Sequence, residues 1–257
     1  MTFKEWIYGS IENPSIKGQW GWLHILTLIL CAICIVTISL LFRKKSYRAK
    51  IVVLWVLASL IFIFEIARRI INFSKNTDWS ANSIMHMLMP RPWCAISCWV
   101  LMASVVLNRK FFYNFASTTS LICAIIFFAY PGVGFNNKYI VFENLYSICT
   151  HSLILIMSIL LITLKFTKFE YKKIWKEAIC LVVLLVYVFL EIYVFKIEAD
   201  PMYFMPNNDV MDILSLSYVS YVVVYIIFML FYFNLFYAIG DFKSLKNLFK
   251  KRTKIKE

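Results

Sequence analysis

WLHILTLILCAICIVTISLLFRKK, residues 22–45, decides the fold. Twenty-one residues pass without Asp, Glu, Lys or Arg, and Arg43, Lys44 and Lys45 follow at once. A helix rises about 1.5 Å per residue and bilayer hydrocarbon is about 30 Å thick, so this run spans it. Outward from it, comparable runs recur to the end of the chain. They predict seven spans, at roughly 22–42, 50–72, 93–107, 111–130, 144–165, 175–195 and 212–240. Pro90 and Pro92 interrupt the start of the third, and Met85–Met89 before them reads as interfacial or re-entrant. Of the 257 residues, 61% are hydrophobic and only 16% charged, and mean hydropathy is +0.74. That is too little charge to cover a soluble domain. The expectation is an all-α, polytopic membrane bundle, one integral-membrane domain over 1–257 with a basic tail at 241–257.

The net charge of +13 suggests nucleic acid until the bases are placed. Nineteen of the 27 fall in three short loops and the tail: Arg43–Lys50, Arg109–Lys110, Lys165–Lys176 and Lys243–Lys256. The acids Asp78, Glu143, Glu198, Asp200 and Asp209 fall in the alternate segments. The positive-inside rule then sets the N-terminus outside and the C-terminus inside, in the cell membrane, with no nucleic-acid partner. The tail reads as a topology anchor on an anionic leaflet, at about 1 kcal/mol per base near the surface. As many acids as bases precede the first run and Arg43, Lys44 and Lys45 follow it directly, so that run reads as a retained span and not a signal peptide.

Of the seven cysteines, Cys31, Cys34, Cys123 and Cys180 lie in apolar runs and read as small hydrophobes. Polar residues inside the spans are more telling, because charge in hydrocarbon needs a partner or water. His24 starts the first span, and Glu65, Arg68 and Arg69 lie in the outer half of the second. Cys94 opens the third, with Cys98 one turn on. His151 lies about two turns, or about 10 Å, into the fifth. Glu191 closes the sixth, and Tyr218 and Tyr221 begin the seventh. The ionisable residues therefore collect toward the outer half and the inner half reads apolar, which predicts a polar pocket open to the outer face. Plainer readings exist. Glu65 with Arg68 or Arg69, at i,i+3 and i,i+4, is also a neutralising pair. His24 is also an interfacial side chain, and Glu191 a solvated one.

Several short motifs recur in an order that resembles the transmembrane protein 164 family and its bacterial YwaF-like relatives. They are Trp6–Gly9, Asn13-Pro14-Ser15 with Gly18, Trp22-Leu23-His24, Glu65, Met89–Cys94, Pro131, Tyr146–His151, and Asp200–Tyr203 with Pro206. The resemblance implies a seven-helix protein and, from the eukaryotic branch, phospholipid acyl transfer through a cysteine and a histidine. Matching positions carry those roles to Cys94 and His151. Pro92 stands where the bacterial motif often has His, and Ala95 where the animal motif has one. Any role for that histidine falls to His86 or His24.

On this reading Cys94 is the nucleophile and His151 takes its proton. Glu65 orients the imidazole, with Glu191 second, and backbone N–H groups near Pro90–Trp93 meet the oxyanion. His24, Cys98, Glu191, Tyr218 and Tyr221 line the pocket. An outward site is out of reach of cytosolic acyl carriers, so membrane lipids are substrate as well as solvent, and no metal or other cofactor is implied. The alternatives are a non-catalytic transporter or lipid-binding bundle, and a zinc site of His24, Cys94 and His151.

Overall fold

The runs read as spans are helices. The computed structural model describes residues 2–8, 20–77, 79–90, 93–129, 135, 140–195, 211 and 214–242, with no strand among them. In chain order the helices are α1 (Phe3–Tyr8), α2 (Trp22–Phe42), α3 (Tyr47–Lys75), α4 (Ala81–Leu88), α5 (Trp93–Leu107), α6 (Lys110–Ala129) and α7 (Phe142–Thr163). A 3₁₀ turn at Tyr171–Lys173 leads into α8 (Ile174–Phe189), which runs on through a π-helical turn at Leu190–Val194, and α9 is Tyr218–Gly240. Six of the helical segments are long and apolar enough to cross a membrane, and α5, with 15 residues, is a shorter apolar helix. Helix α9 of the last span begins at Tyr218, where the Ser217 side chain caps it by accepting from the Ser220 N–H. Ser46 and Ser80 cap α3 and α4 in the same way. The basic tail from Lys243 and the acids at 78, 198, 200 and 209 lie outside the described residues.

The chain forms two compact units, Met1–Phe166 and Thr167–Glu257. In the first, α7 is the hub and packs on α1, α2, α3, α5 and α6, while α5 also packs on α3 and α6. The apolar window of α6 is 67% buried and that of α2 only 11%, so α6 is interior and α2 faces lipid. Lipid is as apolar as leucine, so helices here associate through close contact of small residues. Ala116, Ser117, Ser120 and Ala124 of α6 are all fully buried at such contacts. Their neighbours' hydroxyls bond inside their own helices: Ser117 to the Asn114 carbonyl at 2.9 Å and Ser158 to Ile154 at 2.6 Å. At the α5–α6 turn, Asn108 takes a positive φ of 48°. Its Oδ1 accepts from Tyr47 and from Tyr113, tying the start of α3 to α6.

In the second unit the Tyr171 N–H donates to Asp241 at 3.1 Å, and Phe169 packs on Phe236 and Tyr237. Glu177 corrects the expectation of an apolar inner half. It is 3% exposed and accepts from the Tyr237 hydroxyl. Ahead of the helix, Glu170 pairs with Lys168 and Lys173, which hold its carboxyl down at about 2. That tie is complete above the ordinary carboxylate range near 4.5 and is lost as pH falls toward 2.

Gly240 is where the closing turn of α9 approaches Phe169, and a Cβ there would lie 2.7 Å from the Phe169 Cβ. Gly240→Ala is expected to destabilise the second unit by about 1–3 kcal/mol through overpacking. Proteolysis or thermal unfolding of the detergent-solubilised protein checks this, and an unchanged melting point would count against the close approach.

Candidate functional site

His151 sits on the buried side of α7 and is 8% exposed. Its Nδ1 lies 2.7 Å from the Ser147 carbonyl, one turn back. A carbonyl only accepts, so Nδ1 carries the ring proton and Nε2 keeps a lone pair. The ring also stacks on Phe127 of α6, with centroids 3.6 Å apart and planes 6° from parallel. Two helices thus set the imidazole's orientation.

Cys94 is the second residue of α5, partly buried and packed against the core, and Cys98 one turn on is fully buried. Depth follows from helix length. Cys94 lies about 20 Å of helix from the Leu107 end of α5, and His151 about 18 Å from the Thr163 end of α7. Both ends lead into basic loops, and α5 packs on α7. By helix rise alone the two residues lie at similar distances from those ends, on helices that pack together.

Glu65 is fully buried on α3. Its carboxylate accepts from Arg68 at 2.9 Å, from Arg69 at 2.8 Å and from the Tyr146 hydroxyl of α7 at 2.9 Å. The neutralising pair read from the spacing is present, and it is a triple one. The expected contact of Glu65 with the imidazole is not among the hydrogen bonds of the described residues. Ser147 holds Nδ1, and Glu65 is engaged by three other donors. Arg69 donates onward to the carbonyls of Met87 and Leu88, stabilising the C-terminal end of α4, and lies 5.7 Å from the Trp99 ring centroid. Arg68 lies over the Tyr146 ring at 5.5 Å, and the charges of Arg68 and Glu65 both act on Cys94.

His24 is fully enclosed by protein. The Trp20 N–H donates to its Nδ1 at 3.3 Å, and its ring meets Phe135 at 4.9 Å and Phe128 at 6.1 Å. Phe135 also touches Phe127, so an aromatic chain links the surroundings of the two histidines. Among the described residues no group of three His, Cys, Asp or Glu side chains is placed to hold a metal, so His24, Cys94 and His151 do not assemble as ligands. The His86 side chain and residues 91 and 92, where oxyanion donors were expected, lie outside the described residues. In the second unit, Glu191 sits in the π-helical turn, 1% exposed, and accepts from Tyr187 at 2.7 Å, so it is buried rather than solvated. Tyr221 is buried beside Tyr225, and Tyr218 is exposed.

Phe127 and Ser147 were not singled out from the sequence. Ser147 was recoverable, since the carbonyl four residues before a helical histidine is within its reach. Phe127 carried no signal among 23 phenylalanines.

A model of the TMEM164 family matches residues 19–237. The chain belongs to the TMEM164 family. The matched stretch holds the candidate residues of both units, from His24 to Tyr221, and with the long apolar helices it makes this family member a multi-pass membrane protein. No curated protein and no solved structure matches the chain significantly.

Proposed function

We propose that this TMEM164 family member is a cysteine-dependent lipid transacylase of the cell membrane, with its site toward the outer face. The observation that carries the reading is the His151 ring. Its Nδ1 is engaged by the Ser147 carbonyl and its Nε2 is left as a base, at the depth of Cys94 on a neighbouring helix. Nε2 takes the Cys94 proton, and the thiolate attacks the ester carbonyl of a membrane lipid. The lysolipid oxygen leaves with the proton from His151, and a thioester remains. An acceptor hydroxyl then gives its proton to Nε2 and displaces Cys94 by the reverse path.

The test is incubation of the purified protein with a phospholipid bearing a traceable acyl chain, followed by site-resolved mass spectrometry. Label is expected on Cys94 in the wild type and on no residue of a Cys94→Ala variant. Label that persists in the variant, or never forms, sinks the scheme. The outward placement rests on the basic loops at 43–50, 109–110 and 165–176, and a reporter-fusion scan finding both termini on one face would overturn it.

A further inference from the structure

The Glu65 cluster does not balance. One carboxylate is shared by two guanidiniums, and Tyr146 adds a neutral donor, so the group carries one positive charge more than it neutralises. Its donors are also in excess. Arginine has five N–H groups. Arg68 directs two at Glu65 and, among the described residues, none elsewhere. Arg69 is 7% exposed, yet among the described residues its Nε–H has no partner, and the same holds for the Nε1–H of Trp93, which is 5% exposed and adjoins Cys94 in sequence. Buried donors without acceptors are rare because each costs about 1–3 kcal/mol. Surplus charge beside unfilled donors calls for an anion.

Depth selects which anion. The 29 residues of α3 make about 43 Å of helix against about 30 Å of hydrocarbon, so several ångströms project at each end. Arg68 lies about 10 Å of helix before the Lys75 end, within side-chain reach of the headgroup level. Its side chain is 22% exposed, so the guanidinium is reachable. We propose that Arg68, with the unfilled donors of Arg69 and Trp93 behind it, forms an oxyanion site beside Cys94 that takes the phosphodiester of a lipid headgroup. Glycerol ester carbonyls lie just below the phosphate, so a headgroup held at Arg68 lowers its ester toward Cys94. That consequence rests on the transacylase reading, whereas the binding itself does not.

The experiment follows Cys94 alkylation by a neutral maleimide, read site by site in the full chain in maltoside micelles. The probes are ether-linked dihexyl phosphatidylglycerol, which has no acyl group to transfer, the matching dihexylglycerol without phosphate, and inorganic phosphate. The phosphodiester lipid is expected to slow alkylation at least about fivefold where dihexylglycerol and phosphate do not, and Arg68→Gln to raise the concentration needed about tenfold, with Arg68→Lys intermediate. Equal protection by dihexylglycerol overturns the site and leaves a merely solvated arginine. Equal protection by phosphate overturns the headgroup assignment. If Arg68→Gln does not fold, the wild-type contrast between the two lipids decides alone. Protection without acyl label on Cys94 sinks the reaction and keeps the site, and label with no Arg68-dependent protection does the reverse.

Discussion

Glu65→Ala is expected to destabilise the first unit by about 3–5 kcal/mol, the cost of stranding a buried charge by removing its partner. The side chain is fully buried and is the acceptor for Arg68, Arg69 and Tyr146 together. Its loss leaves Arg69, 7% exposed, with no carboxylate among the described residues to meet its charge, and it cuts the Tyr146 tie between α3 and α7. Glu65→Gln keeps the shape but not the charge, and falls between the variant and the wild type. A second substitution, Arg69→Met, is expected to recover part of the loss in the Glu65→Ala background, since an apolar replacement removes the stranded charge. Reversible unfolding in mixed micelles checks the series. A Glu65→Ala protein as stable as the wild type would mean that water reaches the cluster and that its charges are solvated.

His151→Phe is expected to slow thioester formation at Cys94 by about 10²–10⁴-fold while leaving the melting point within a few degrees. Phenylalanine keeps an aromatic ring against Phe127, where the present stack is 3.6 Å between centroids, and removes both ring nitrogens. The substitution thereby separates packing from proton transfer. His151→Ala, which also leaves a void beside Phe127, loses stability as well as rate. Unchanged thioester formation in the phenylalanine variant would reduce His151 to a packed ring on α7. Single-turnover acylation, quenched and resolved by mass, is the measurement.

Much of the scaffold is legible in the linear chain because crossing a membrane is a local requirement. The run from Trp22 to Phe42 and the short one from Trp93 to Leu107 coincide with their helices. The helix of the seventh span starts at Tyr218, where Ser217 carries the capping side chain. Glu177 did not stand out, since nothing near it in sequence announces Tyr237, 60 residues away. At the site, Cys94 and His151 stood out as reactive types at comparable depth. Glu65 stood out too, but its role did not. The i,i+3 and i,i+4 arginines were visible, and the third donor, 81 residues away, was not.

What the chain determined by itself is the all-helical class and the order of its apolar helices, with the reactive residues each carries, because hydropathy and helical rise act along one dimension. Only the tertiary structure decided how each helix is turned about its own axis. In lipid an apolar helix is content in any rotation, so the choice falls to small-residue contacts and to polar groups in search of partners. That choice brought Phe127 of α6 onto His151 of α7 and Tyr146 of α7 onto Glu65 of α3. It also left Arg68 with donors to spare beside Cys94.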